Sequence, residues 1–301
     1  MLHLVCAFLV AGAVSSDRPE SADGRATEVK TPGRRWAVIL VGIPGDDAHA
    51  ALFRKTADAW QTWLLSSLQL PPEQVLRLPA VPSAKQAEKD PAALPLTAET
   101  IRTTFADLSE KLGPDDSLWV FTLGHGNYDG KHAWFHMAGR DPSNEDFGRW
   151  LSEVRCREQV IWLTQACSGW FVKPLSKPGR IVIAATAADD ESNETEFPQA
   201  LAAVIAKPLK LLDADQDGLL SVAELFFAVV QEVADRFKRD KRLPTEHAQF
   251  DDDGDGKGSE NILSQVKSAS DAAAPDGQAA VGSRDGDHAK KTLVPLRRES
   301  H

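Results

Sequence analysis

Two residues that could act together as a nucleophile and a base follow two long apolar runs of the chain. His125 lies in "GHG" after the run "SLWVFTL", and Cys167 lies in "ACSG" after the run "QVIWLTQ". A cysteine peptidase needs a thiolate, an imidazole that takes its proton and later protonates the leaving amine, and donors for the oxyanion. The backbone N–H groups of Gly126 and Cys167 are the predicted oxyanion donors. We therefore interpret Cys167 and His125 as a candidate catalytic dyad.

Each half of this pattern also has a purely structural interpretation. Free cysteine is among the most buried residue types, so a cysteine at the end of a strand commonly belongs to the core. The glycines that flank His125 favour catalysis, because they let the backbone turn sharply and leave room for a substrate. Cys156 has no glycine or histidine motif beside it and is interpreted as a packing residue. The two motifs are informative because they occur together, one after each of two consecutive runs.

Composition limits the class of protein. A chain of 301 residues with 42% hydrophobic residues can bury a real core, as one sizeable α/β domain with appendages or as two small domains. The net charge of −10 argues against a nucleic-acid partner, because neutralising phosphates requires a basic face. Cys156 and Cys167 are too few for a disulfide framework, so stability is expected to come from the core.

The N-terminus has the character of an export signal. The apolar stretch "MLHLVCAFLVAGAVSS" is too short to span a bilayer and ends in small residues, which predicts a signal peptide over residues 1–15. Cys6 would then leave with the signal, and the polar residues 16–35 would form a linker. The sequence thus predicts a secreted or periplasmic protein without a stable membrane span. The stretch lacks the usual preceding Lys or Arg, and without a signal the protein would be cytoplasmic.

Apolar runs and helical patterns alternate along the middle of the chain. The runs are continuous, as expected for strands covered on both faces, and they lie at 36–42, 117–124, 159–166 and 180–188. Helical patterns lie at 50–68, 96–112 and 143–154, the last opened by a capping box of Ser143 and Asp146. This order predicts an α/β fold, a three-layer α/β/α sandwich with a mainly parallel sheet. Ligands bind such sheets outside the carboxyl ends of the strands, where both motifs fall.

The motifs together resemble a known family. "FTLGHG", followed 42 residues after its histidine (167 minus 125) by "TQACSG", is similar to the caspase and haemoglobinase group of clan CD cysteine peptidases. Three further stretches, "WAVILVG", "FRKTADAWQ" and "IVIAATAADDESNET", resemble legumain, and the resemblance covers residues 36–206. It implies a caspase-haemoglobinase fold and cleavage of peptides through a thioester acyl-enzyme. His125 would be the general base and acid, Cys167 the nucleophile and Gly126 an oxyanion donor.

The resemblance also implies how substrate is bound. Arg54 and Gln165 would contact the substrate, with Asn or Asp preferred at P1, the residue before the scissile bond; alternatively, Arg54 is a solvated helix residue. Three positions depart from legumain: "QACSG" replaces "EACESG", Pro44 stands where legumain has an Asn, and Gly124 stands where it has an Asp. These departures put the asparaginyl preference in question. If they distort the site, the alternative is a catalytically inactive calcium-binding pseudo-enzyme. A transamidase of the same fold is a second alternative, because the same thioester precedes hydrolysis and transamidation.

An acidic loop over residues 213–224, "DADQDGLLSVAE", matches the EF-hand pattern. Carboxylates, a carbonyl and a hydroxyl would supply oxygens for a hard cation, and Gly218 would make the sharp turn. The predicted Ca²⁺ ligands are Asp213, Asp215, Asp217, the Leu219 carbonyl, Ser221 and Glu224. Pro208 predicts a short or kinked entering helix. A solvated acidic turn is the alternative interpretation.

A second acidic loop, "DDDGDGKGSEN", repeats part of the pattern with Asp251, Asp253 and Asp255. Ile262 stands where the closing glutamate should be, so the loop either binds Ca²⁺ weakly, with help from Glu260, or is a turn with an electrostatic role. Both loops and the helical pattern at 222–240 would form an EF-hand-like extension over residues 207–262. Residues 263–301 lack periodicity and are predicted to be a disordered tail.

Overall fold

The structure is a computed structural model that describes residues 33–78, 96–260 and 285–295. These ranges belong to one compact unit. The predicted signal peptide at 1–15, Cys6 and most of the predicted linker at 16–35 lie outside the described residues. Within the described ranges, no helix combines the length and the apolar character needed to cross a membrane.

Six strands form a central sheet in the order β2-β1-β3-β6-β7-β8, and two more form a hairpin. The sheet strands are β1 (Arg35–Val41), β2 (Val75–Leu78), β3 (Ser117–Leu123), β6 (Glu158–Leu163), β7 (Arg180–Ala184) and β8 (Gln249–Asp251). The first five are parallel, and β8 pairs antiparallel with β7. The hairpin strands β4 (Gly126–Tyr128) and β5 (Ala133–Phe135) are antiparallel and directly follow His125.

Helices cover both faces of the sheet. They are α1 (Asp47–Thr62, continued by a π-helical segment Trp63–Ser67), α2 (Ala98–Lys111), α3 (Asn144–Glu153), α4 (Val172–Leu175), α5 (Phe197–Val204) and α6 (Val222–Arg239), with 3₁₀ turns at Pro72–Gln74, Ser168–Phe171 and Leu209–Leu211. Helices α1, α5 and α6 pack on one face with Ala37 and Ile39 of β1, while α2, α3 and α4 pack on the other with Val38 and Leu40. Successive side chains of a strand point to opposite faces. Two covered faces therefore explain the continuous apolar runs.

The predicted α/β class, with a mainly parallel sheet between two helix layers, is confirmed. The four predicted strands form the centre of the sheet, and the capping box of Ser143 and Asp146 begins α3. Strands β2, β4, β5 and β8 were not predicted from the sequence. They are only three or four residues long and lie at the sheet edge or in the hairpin, so they show too few alternations to reveal a pattern.

The C-terminal part of the chain packs onto this same core. The ring of Phe226 in α6 lies 4.9 Å from that of Phe250 in β8, and both residues are buried. Residues 285–295, predicted to belong to a disordered tail, are instead held in place: the Val294 N–H donates to the Leu220 carbonyl at 2.7 Å, and the Val222 N–H donates to the Thr292 carbonyl at 2.9 Å. Their order comes from long-range partners, which a lack of local periodicity does not reveal.

Candidate active site

The register of the sheet brings the segments of His125 and Cys167 to the same edge. β3 and β6 are neighbouring parallel strands in which Thr122 pairs with Leu163, so both motifs leave the sheet side by side. The segments are in contact, since a β-carbon built on Gly126 would lie 2.6 Å from the Ala166 carbonyl oxygen. Only glycine permits this approach. The glycine after His125 is therefore required by packing, whatever its part in binding an oxyanion.

Three neighbours define the position of the His125 ring. Its Nε2 lies 3.1 Å from the main-chain carbonyl oxygen of Pro44. A carbonyl only accepts, so Nε2 carries the hydrogen, and Nδ1 of the neutral ring is left unprotonated. The ring also contacts Phe53 and His49, with centroid distances of 5.3 and 5.2 Å. Pro44, one of the departures from legumain, thus orients the imidazole through an atom that every residue type possesses.

Cys167 lies at a strained turn between β6 and the following 3₁₀ turn. Its φ of 57° and ψ of 19° are left-handed, a conformation that costs a non-glycine residue on the order of 1–3 kcal/mol. The turn is held against the end of β7, because the Ser168 hydroxyl accepts hydrogen bonds from Ala185 N–H and Thr186 N–H. A β-carbon on Gly169 would lie 2.3 Å from the Ala187 carbonyl carbon. The small residues of "CSG" are thus explained by packing that fixes the cysteine.

The thiol of Cys167 is buried beneath the loop that follows β7. Only 2% of the residue is exposed. Burial raises the pKa of Cys167 above its ordinary value, a hydrogen bond from the Tyr128 backbone lowers it, and the charge of Asp189 raises it further. The Glu191 carbonyl oxygen lies 3.1 Å from the Cys167 nitrogen and 3.7 Å from its sulfur. This contact was not predicted from the sequence, because a main-chain carbonyl has no residue-type signature.

The predicted substrate contacts lie in different environments. Gln165 is fully buried, and its Oε1 accepts from the Thr122 hydroxyl at 2.5 Å; in the described part of the chain its Nε2 has no partner. Arg54 is exposed on α1, one residue after Phe53, and forms no ion pair with any described residue. The environment of Arg54 thus agrees with either of its two interpretations.

Acidic groups surround the candidate dyad. His49, which was not predicted from the sequence, lies between Asp46 at 2.8 Å and Glu194 at 3.2 Å, and these two carboxylates raise its pKa. The loop after β7 also borders a cavity of about 330 Å³. Its lining consists of Asp189, Asp190, Glu191, Asn193, Pro244, Thr245 and His247. The charge of this lining favours a cationic ligand group.

The first acidic loop gathers three of its predicted ligands. Carboxylate oxygens of Asp213, Asp215 and Glu224 lie within 4.8 Å of one another. Gly218 makes the turn with a φ of 80°. Pro208 predicted a short or kinked entering helix, and the structure has only a single 3₁₀ turn, at Leu209–Leu211, directly before the loop. Asp217 lies in the same loop, outside this group of three carboxylates. The Ser221 hydroxyl instead donates to Glu224 and caps α6, so part of the motif has a second, structural role.

The second acidic loop closes with a residue that the sequence did not suggest. Asp251 and Asp253 lie within 4.8 Å of Asp285, a buried residue from the predicted tail. The predicted Asp255 instead contacts Lys257 at 3.7 Å, and Glu260 accepts a hydrogen bond from Gln249 at 3.4 Å. Burial raises the pKa of Asp251 to about 6. Both loops offer oxygen ligands only, a donor set that suits a hard cation such as Ca²⁺.

The fold and the site together define a class: an α/β/α sandwich with a cysteine and a histidine at the carboxyl ends of adjacent parallel strands. No protein-family model and no curated protein matches the chain. Among solved structures, the chain is similar to the Drosophila initiator caspase Dronc, with 13% identity, 84% of this chain and 94% of that chain covered, and a TM-score of 0.44. It is also similar to pro-sf-caspase-1, with 15% identity, 72% and 89% covered, and a TM-score of 0.45. Because these sequence identities and TM-scores are low, the function is inferred from the residues of the site.

Proposed function

We propose that the protein is a cysteine endopeptidase with Cys167 as nucleophile and His125 as general base and acid. The observation that carries the proposal is the bond between His125 Nε2 and the Pro44 carbonyl, which leaves Nδ1 as the basic nitrogen. Gly126 supports it, since its contact with Ala166 joins the two segments. The strained backbone of Cys167 is a further feature typical of functional residues.

The reaction follows from these roles. His125 Nδ1 takes the proton of the Cys167 thiol, and the sulfur attacks the scissile carbonyl carbon. The N–H groups of Cys167 and Gly126 stabilise the oxyanion, and the imidazolium returns the proton to the leaving amine. A water molecule, deprotonated by His125, then hydrolyses the thioester.

Substitution of the nucleophile tests the proposal. Cys167→Ala should abolish cleavage of a fluorogenic peptide library, and His125→Ala should reduce it by at least about 100-fold. Cys156→Ala is the matched control, since it removes the other described thiol, and should cleave like wild type. Unchanged cleavage by Cys167→Ala would refute the assignment.

The same library decides the P1 preference, for which two surfaces compete. Recognition through Arg54 and Gln165 predicts Asn or Asp at P1. The acidic cavity predicts Arg or Lys, because Asp189 and Asp190 form no ion pair with any described residue. Arg54→Gln should lower kcat/KM selectively in the first case, and Asp190→Asn in the second. A profile that neither substitution alters would exclude both surfaces.

Two alternatives keep the fold and change the chemistry. A transamidase forms the same thioester but resolves it with an amine, so added glycinamide would appear in the product. A pseudo-enzyme would bind peptides without cleaving them. Cleavage products from wild type in the absence of amine would exclude the pseudo-enzyme. Cleavage products that carry no glycinamide when it is added in excess would exclude the transamidase.

We also propose that the acidic loops bind Ca²⁺ and stabilise the C-terminal part of the fold by mass action. Millimolar sites would suffice for a protein exported by its predicted signal peptide. Thermal unfolding with Ca²⁺ or EGTA tests this role: Asp213→Asn should reduce the Ca²⁺-dependent rise in Tm. Asp251→Asn should do the same for the second loop, with Asp255→Asn as its matched control. A Tm independent of Ca²⁺ would contradict the proposal.

A further inference from the structure

A main-chain carbonyl of the protein lies where a substrate carbonyl is needed. The Glu191 carbonyl oxygen accepts from Cys167 N–H at 3.1 Å and lies 3.7 Å from the Cys167 sulfur. During acyl transfer, that N–H must point at the substrate oxygen, and the sulfur must reach the carbon that bears it. A substrate therefore cannot take this position while Glu191 does.

The side chain of Glu191 anchors that carbonyl. Its carboxylate accepts from Ala187 N–H at 2.7 Å and from His247 N–H at 2.9 Å, and it forms a short ion pair with His247 Nδ1. The glutamate is 9% exposed, so most of this anchor lies out of water. The His247 side chain is 53% exposed and can be shortened without opening a cavity.

A second anchor ties the same loop to the candidate active site. The Trp170 indole N–H donates to the Asp189 carbonyl at 3.3 Å. The Trp170 ring stacks on Tyr128 with a centroid distance of 4.0 Å and an interplanar angle of 6°. Tyr128 belongs to the hairpin after His125, and Trp170 to the turn after Cys167. The loop is thus held by Trp170, whose ring is in turn supported by Tyr128.

We infer that residues 187–192 form an autoinhibitory strap, in which the Glu191 carbonyl fills the acyl site and the Glu191–His247 pair is the latch. This inference rests on the proposed peptidase function. The buried sulfur fits a closed state: a raised pKa disfavours the thiolate, which is the reactive form. Opening requires only that the strap move away from Cys167, since the ends of β3 and β6 are already in register.

Thiol alkylation of the full-length protein tests the strap without requiring catalysis. Iodoacetamide rates at Cys167 and Cys156 are measured by peptide mass mapping for wild type, His247→Ala and Glu191→Gln. Losing the latch should speed Cys167 alkylation about fivefold, equivalent to about 1 kcal/mol, and leave Cys156 unchanged. Lys207→Ala is the matched control, because Lys207 is a partly exposed cation on a largely buried glutamate, Glu232. It should change neither rate.

Peptide cleavage by the same variants separates this inference from the proposed function. Faster alkylation with faster cleavage supports both, and faster alkylation without any cleavage supports the strap while refuting the peptidase. Wild-type cleavage with unchanged alkylation in both variants overturns the strap alone. Equal acceleration at Cys156 would mean general loosening and also overturns it. A fragment of the wild-type protein cut between Glu191 and Ser192, and absent from Cys167→Ala, would also overturn the strap. The Glu191 carbonyl would then be a substrate of Cys167 and not an inhibitor.

Discussion

Replacing Gly126 by alanine should push apart the two segments that carry His125 and Cys167. The added β-carbon would lie 2.6 Å from the Ala166 carbonyl oxygen, 2.9 Å from the Trp134 carbonyl oxygen and 2.9 Å from the Gln165 Cγ. Carbon–oxygen contacts ordinarily require about 3.3 Å, so a displacement of about 0.7 Å is needed on the Ala166 side. Two of these three atoms are backbone and cannot rotate away.

This displacement has consequences for both stability and activity. Overpacking of this kind costs about 1–3 kcal/mol. For a chain of this length, each kcal/mol lowers Tm by roughly 2–4 °C. Because the imidazole and the thiol move apart, kcat should also fall by about 10- to 100-fold.

Two other glycines provide controls that separate stability from activity. Gly130 lies in the turn of the same hairpin with a φ of +91°, and a β-carbon added there would have no other atom within 4 Å, so Gly130→Ala should cost about 1 kcal/mol of strain without affecting kcat. Gly113→Ala should be neutral, since its nearest neighbour would be 3.9 Å away. Thermal unfolding and peptide cleavage are measured on all three variants. If Gly126→Ala had the same Tm and kcat as wild type, the close contact at Gly126 would be refuted. If Gly126→Ala and Gly130→Ala lost the same amount of kcat, the link between this contact and activity would be refuted.

Three further predictions concern stability. Burial raises the pKa of Glu246 from 4.5 to about 8. Between these pH values the folded protein keeps the proton while the unfolded chain loses it, so the free energy of unfolding falls as pH rises. Glu246→Gln should reduce this slope by on the order of 1 kcal/mol per pH unit, measured by urea unfolding at a series of pH values. The same pH dependence in wild type and Glu246→Gln would contradict the prediction. Arg180→Ala should lower the free energy of unfolding by about 3–5 kcal/mol, because Arg180 is buried and donates hydrogen bonds to the Leu151 and Leu175 carbonyls. The shift of the urea unfolding midpoint measures this loss, and a loss below about 1 kcal/mol would contradict the prediction. Thr292→Val removes a donor from buried Glu158 and should cost about 1–3 kcal/mol, with faster hydrogen exchange in residues 285–295; unchanged exchange would count against it.

Local sequence signals predicted much of the fold because they act over a few residues. Continuous apolar runs predicted the central strands, since both faces of this sheet are covered by helices. Ser143 and Asp146 predicted the start of α3, because a capping box is complete within four residues. Strands β4, β5 and β8 have only three residues each, and their pairing depends on partners elsewhere in the chain.

The sequence by itself determined which residues carry reactive side chains and that His125 and Cys167 follow consecutive central strands. It also determined that acidic side chains cluster in the two loops. Only the tertiary structure decided how these groups are used: the carbonyl of Pro44 orients His125, the carbonyl of Glu191 covers Cys167, and Asp285 joins Asp251. The physical reason is that main-chain carbonyls are the same at every position, and that contacts between distant residues form only when the chain packs.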